Sequence, residues 1–239
     1  MNQSFETPRL AALRLAGIAL TAVLTMAQTP KPAATFTAAA ANVSNAGDSI
    51  QIVLRRWSTD TERDQFLAAW NVPAAPVSIA PAAPAPAADA AQGRGGRGGR
   101  GGRGGAPAAA PQRLTPEGSL AKALAAAPTV GDLWSSSESL GYSLCYAVRL
   151  PEQGGGERII LITDRRLGDS GKGWKPAAPG AANDYAFSLI ELRVNAKGEG
   201  DGKTSLTGKV IVDDAAKTYA LENLAASPVV LRNVKRRAG

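Results

Sequence analysis

Histidine is absent from this chain, and cysteine occurs once, at Cys145. Without histidine there is no Ser-His-Asp triad, no Cys-His pair and no His-containing zinc site. A lone cysteine forms no internal disulfide and no structural metal centre, so the fold must stand on its core. Cys145 itself reads as a small apolar residue on a strand. Aromatic residues are also few, at 5% of the chain. Beyond residue 27 no apolar run approaches the about 20 residues that a spanning helix needs.

What is present begins with a leader-like segment. Arg9 and Arg14 give a basic start, Leu15 to Met26 is apolar but short, and Thr25-Met26-Ala27 places small residues where a signal peptidase reads them. The sequence therefore predicts export, to the periplasm or the medium. Residues 28–47 are rich in Ala, Thr and Pro and read as disordered.

A strand is expected from Ser49, where Ile50, Ile52 and Leu54 alternate with Gln51, Val53 and Arg55. A helix follows, with Thr59 and Glu62 spaced as a capping box and Phe66, Leu67 and Trp70 on its apolar side. Pro73 stops it. Thr115 caps a second helix, with Pro116 at its first position and Leu120 and Leu124 sharing a face. After Trp134 and a Ser-rich loop the chain turns to strands. Leu140, Tyr142, Leu144, Tyr146 and Val148 alternate with Gly141, Ser143, Cys145, Ala147 and Arg149. Further strands are read over 158–163, 185–194, 204–212, 218–222 and 229–234, and Asp213-Asp214 reads as a turn. Short polar turns between consecutive strands argue for an antiparallel meander. The strand and helix of 49–71 are too small to form a core alone, so they must dock on the later strands.

Four Arg-Gly-Gly triplets run from Arg94 to Gly105 inside a long Ala/Pro tract. Arg94, Arg97, Arg100 and Arg103 are candidate contacts for a polyanion such as nucleic acid or acidic polysaccharide. No aromatic ring is interleaved for base stacking, so a disordered spacer is the preferred reading and nucleic acid is disfavoured. The four arginines also dominate the net charge of +7: without them the basic count falls from 27 to 23, against 20 acidic residues. Arg232, Lys235, Arg236 and Arg237 read as solvated terminal charge.

Two apparent motifs fail on context. Gly93, Gly95 and Gly98 match a dinucleotide-binding spacing but sit between proline-rich segments, with no strand before or helix after. Gly198 to Thr204 nearly spells a phosphate loop, one residue short and carrying Glu199 and Asp201; it reads as a hairpin turn. A carboxylate-based hydrolase would draw on Asp164, Asp184, Glu191, Asp213 or Asp214, but no spacing picks out a pair. The remaining hints lie at strand ends, where loops carry binding residues: Asp164, Arg165, Trp174, Asp184 and Tyr185.

The segment Asp184 to Arg193 continuing through Gly198-Glu199-Gly200 resembles a group of uncharacterised exported bacterial proteins. Ile162-Thr163-Asp164-Arg165, Ala220-Leu221-Glu222-Asn223 with Pro228-Val229, and Arg56-Trp57-Ser58-Thr59 are similar to it too. The group has a short connection in place of the Gly/Arg tract. The resemblance implies export and an inserted tract, but no reaction or ligand.

The sequence thus predicts an α+β fold: an antiparallel β-meander, curled or barrel-like, with two helices, interrupted by a long disordered insertion. Residues 1–27 form the signal peptide and 28–47 a disordered segment. Residues 48–71 and 114–239 make one domain, and 72–113 the insertion. The function expected is an exported non-catalytic domain binding a partner protein or small ligand through strand-end loops. No catalytic, cofactor or metal residue is assigned.

Overall fold

The computed structural model describes residues 31–71, 115–169, 171, 173–178 and 183–237. The leader and the insertion with its arginine triplets lie outside these residues. Among those described, ten strands and two α-helices form: β1 (Ala34–Ala40), β2 (Ser49–Leu54), α1 (Asp60–Trp70), α2 (Pro116–Ala125), β3 (Gly131–Ser135), β4 (Tyr142–Pro151), β5 (Glu157–Thr163), β6 (Leu189–Val194), β7 (Glu199–Thr204), β8 (Val210–Asp213), β9 (Thr218–Leu221) and β10 (Leu231–Arg237).

The meander closes. Eight strands form an antiparallel barrel in the order β1-β10-β7-β6-β5-β4-β3-β2, and β8 and β9 pair separately as a hairpin. Neighbouring strands follow one another along the chain, with the helices between β2 and β3 and the hairpin between β7 and β10, except at the closing seam, where β1 pairs with β10. The early strand β2 lies between β1 and β3, so both halves of the chain share one wall.

Both helix starts follow from their caps. Glu62 N–H donates to Thr59 Oγ1 and the Glu62 carboxylate accepts from Thr59 N–H. Gly118 N–H donates to Thr115 Oγ1, with Pro116 in the first turn.

Four sequence expectations need correction. The segment 28–47 is not disordered over its described part: β1 is a barrel strand with Phe36 wholly buried. Its Ala/Thr composition offers little apolar surface of its own, but β2 and β10 supply the partners on both edges. β3 was hidden in a short segment running into serines, where Gly131 is obligatory: an added Cβ would lie 2.4 Å from the Val53 carbonyl oxygen. Residues 199–204 are a strand rather than a turn; the turn occupies Asn195–Gly198, with Gly198 at φ +76°. Finally, the strand 204–212 does not exist as one unit. β7 ends at Thr204 and β8 starts at Val210 in the separate hairpin. The Asp213-Asp214 turn is present, closed by Ala216 N–H donating to Asp213 Oδ1.

Two apolar interiors result. Inside the barrel, an inward row crosses four adjacent strands: Phe36, Ile52, Leu133 and Tyr142 are successive cross-strand partners. Ile159, Leu161, Ile190 and Leu192 fill the opposite wall. Outside, α1, α2 and the β8–β9 hairpin cover β4 to β6, burying Phe66, Leu124, Tyr146, Ile160, Leu189 and Tyr219. The rings of Phe66, Tyr146, Tyr219 and Trp70 meet edge to face in sequence. Tyr219 OH donates to the Phe66 carbonyl at 2.6 Å, tying the hairpin to α1.

The switch between interiors is a β-bulge. Leu144 pairs with Thr163 and Tyr146 with Ile162, so β4 carries one extra residue, Cys145. Before the bulge even-numbered residues (Tyr142, Leu144) point into the barrel. After it Ala147 points in, while Tyr146 and Val148 face the helices.

Candidate ligand-binding site

The barrel is filled by side chains, so ligand space must be sought at its ends. At one end the β1–β2 loop (41–48), the β3–β4 loop (136–141) and the start of the β5–β6 connection (164–178) converge. They enclose a cleft of about 500 Å³ lined by Asn45, Asp48, Ser137, Glu138, Leu140 and Gly173, with further small residues between them.

Next to the lining residue Gly173 stands Trp174. It is only 1% exposed, held at φ +61°, and packed into the barrel mouth as part of the interior cluster. Its backbone N–H donates to Asn45 Oδ1 at 2.8 Å, and Ser44 N–H donates to the Lys175 carbonyl. These bonds clamp the first loop to the third. The indole N–H of Trp174 has no acceptor among the described residues.

Asp48 is the hub of one side. Its Oδ2 accepts from Ser135 Oγ at 2.9 Å, from Asn45 Nδ2 at 3.1 Å and from Ser137 Oγ. Burial alone would raise this carboxyl, but the bonds from Ser137, Asn45 and Ser135 outweigh it and hold it below its ordinary value. All these side-chain donors are neutral.

Glu138 is the hub of the other side. Its Oε2 accepts from Tyr142 OH at 2.5 Å, and that phenol accepts from Gly168 N–H at 2.8 Å. Burial, aided by the Glu138 charge, pushes the Tyr142 phenol up, so it remains a donor. The second carboxylate oxygen, Oε1, is shielded from solvent and has no partner among the described residues. Gly171 and Gly173 pack closely against it: an added Cβ would stand 3.4 Å from Oε1 at Gly171 and 3.2 Å at Gly173. The rim is apolar. Trp134 (47% exposed) and Leu140 (59%) are the exposed large hydrophobic residues among those described, and the Trp134 ring lies against Gly141.

The five loop residues singled out from sequence are not brought together. Arg165 stands directly behind the cleft: its guanidinium lies 4.7 Å above the Tyr142 ring and its Nη2 donates to the Gly141 carbonyl. Trp174 is buried in the barrel mouth rather than an exposed ligand contact. Asp164 extends the β4–β5 pairing, accepting from Ser143 N–H and donating its own N–H to the Ser143 carbonyl. Asp184 is fully exposed and pairs with Arg166 at 3.2 Å. Tyr185 stacks on Phe187 in the outer layer, and its hydroxyl accepts from Val210 N–H. Of the other carboxylates considered for hydrolysis, Glu191 and Asp213 are both bound to Arg158. Arg94, Arg97, Arg100 and Arg103 lie outside the described residues.

Sequence reasoning missed Asn45, Asp48, Ser137 and Glu138. The signal was there: a polar, turn-forming run from Asn42 to Asp48 and the serines around Glu138, each between stretches of alternating character. Neither run meant much until the barrel brought both to the same end. A scan against family models and searches of curated proteins and of solved structures returned no match for this chain.

Proposed function

We propose that this chain is an exported binding protein that takes a small ligand, or the tip of a partner, into the cleft at the loop end of its barrel. Export rests on the leader-like segment and on the resemblance described above. The reading as a binder rests on one observation: Asn45, Asp48, Ser137 and Glu138, from separate loops, converge around one cleft of about 500 Å³ at an end of the barrel. Clefts of this size with a few convergent polar groups are common ligand sites. Among the described residues no helix is long and apolar enough to cross a membrane. The barrel turns apolar residues inward and Gln51, Arg193 and Lys235 outward. That is the reverse of the arrangement a lipid-embedded barrel needs.

The test is thermal unfolding and titration of the full chain against small amines (phenethylamine, agmatine) and neutral saccharides (N-acetylglucosamine oligomers). At least one should raise Tm and bind saturably. Ser139→Trp, an exposed rim substitution that fills the cleft, should abolish that binding while leaving the unliganded Tm unchanged. Binding that survives Ser139→Trp, or no binding by any probe, would overturn the proposal.

A further inference from the structure

We infer that the opposite end of the barrel holds a second site, which takes a small ligand carrying two or more phosphate- or sulfate-type groups. It is separate from the loop-end cleft and does not rest on the reading given for that cleft.

The first ground is shape. The start of β1, the β6–β7 turn, the short turn before β5 and the end of β10 meet around a cleft of about 450 Å³. Lys31, Lys197, Arg236 and Arg237 stand on its walls. The last two read from sequence as solvated terminal charge, yet they belong to the strand that closes the barrel. Arg236 is fixed in place. Its backbone N–H donates to the Gly198 carbonyl, its guanidinium lies 6.0 Å from the centre of the Phe36 ring, and its Nη1 donates to Glu157 at 2.6 Å. Gly198 permits the close approach: an added Cβ there would stand 2.9 Å from Arg236 Cβ. Lys31, Lys197 and Arg237 are exposed.

The second ground is charge. Four cations line the cleft against one carboxylate, Glu157, which is already held between Arg236 and Arg149. Glu199, next to the lining turn, pairs with Lys235, and Glu152 pairs with Arg193. Lys31, Lys197 and Arg237 form no ion pair among the described residues. The rest of the chain has little to neutralise them: outside the described residues the carboxylate side chains are Glu6, in the leader-like segment, and Asp89. A concave surface lined by one sign of charge concentrates ions of the other.

The third ground is donor chemistry. Guanidinium and ammonium groups give charge-assisted hydrogen bonds, and phosphate or sulfate oxygens accept several at once. Cations spread around the walls of one cleft are engaged together only by a ligand with more than one such group. No aromatic ring lines the cleft; Pro32, Ala33, Ala34 and Ala196 do. It therefore offers no platform for a nucleotide base, and the anionic groups carry the affinity.

The experiment titrates the full chain with tripolyphosphate and with orthophosphate, followed by calorimetry. Tripolyphosphate should bind saturably, about tenfold or more tighter than orthophosphate, and weaken as salt is raised. Lys197→Gln with Arg237→Gln, both exposed positions, should weaken it about tenfold or more while the unliganded Tm stays unchanged. Lys197→Gln alone, on the turn, should give a smaller loss of the same sign and serves if the double variant folds poorly. Two controls remove charge elsewhere: Lys209→Gln with Lys217→Gln, and Ser at Arg94, Arg97, Arg100 and Arg103. Both should leave affinity within about twofold. No saturable binding, or an equal loss in either control, would overturn the inference. A sulfated disaccharide that displaces tripolyphosphate would make the natural source a glycan; failure to displace it would leave a phosphate compound, and either result upholds the shared chemistry. Ser139→Trp should not affect this binding, so the two sites stand or fall separately.

Discussion

Glu191 and Arg158 lie side by side on neighbouring strands, with Arg158 Nε 2.9 Å from a Glu191 carboxylate that has no exposed surface. Arg158 also reaches Asp213 in the β8–β9 hairpin at 2.9 Å, and Arg193 approaches Glu191 at 3.2 Å. One buried carboxylate therefore joins the barrel wall to its outer hairpin. Removing it leaves a nearly buried guanidinium with the partly exposed Asp213 as its remaining carboxylate. Glu191→Ala should cost about 3–5 kcal/mol, and replacing both partners together (Arg158→Met with Glu191→Leu) should recover most of that loss. Urea unfolding of the three proteins checks it; a loss below about 1 kcal/mol for the single variant would contradict this reading.

Acid should destabilise the protein through identifiable groups. The fork-like bond from Arg56 holds the Glu62 carboxyl at about 2, well below its ordinary value, with the Thr59 cap helping and burial opposing. Arg158 likewise holds Asp213 below its ordinary value. A carboxyl depressed in the folded state stabilises fully above its unfolded pKa and loses that contribution as pH falls through the folded one. Stability should therefore decline as pH drops from about 4.5 toward 2. In Glu62→Gln the decline should be shallower, as followed by Tm against pH.

The bulge residue Cys145 should be chemically silent in the native protein. It is buried, and burial, with Asp164 nearby, pushes its thiol up to about 11. Little thiolate exists near neutral pH, and reagent access is blocked. Reaction with a disulfide reagent at pH 8 should proceed no faster than global unfolding and become rapid in denaturant. Immediate stoichiometric labelling would be the contrary result.

If β1 belongs to the barrel as described, its amides should exchange as slowly as those of β5. Phe36→Ala should cost about 3–5 kcal/mol, as expected for emptying a fully buried aromatic position. Fast exchange over 34–40 would return this segment to the disordered reading.

Gly200 has no tolerance for a side chain, because a Cβ there would sit 1.8 Å from the Arg193 carbonyl oxygen on the paired strand. Gly200→Ala must break the β6–β7 register locally, costing about 2 kcal/mol or more. At Gly202 the nearest atom to an added Cβ is the movable Leu192 side-chain tip. Gly202→Ala should be the milder of the two, measured in the same urea titration.

Local chemistry was readable from the chain and distant pairing was not. Thr59 with Glu62, and Thr115 with Pro116, announce helix starts because a cap acts within four residues. Strands whose apolar residues alternate cleanly, such as β2, were visible for the same reason. β1 was invisible because its burial comes from β10, which lies almost the whole chain away. The alternation read through 140–149 failed at Cys145, since a bulge reverses which face the following residues occupy. Trp174 looked like a loop residue and is a plug, because its neighbours Gly173 and Lys175 give no hint that the barrel mouth lies beneath them. The cleft was illegible for a related reason: Asp48 and Glu138 belong to loops that meet only once the cylinder is shut.

The seam between β1 and β10 also dictates an order of events during synthesis. While the chain is still emerging from the ribosome, β1 waits with one unpaired edge and β7 with another. Both stay open to wrong partners until β10 is available to pair. The last strand to form is thus the one that hides both edges at once, and any delay in its arrival prolongs the exposure of two sticky borders.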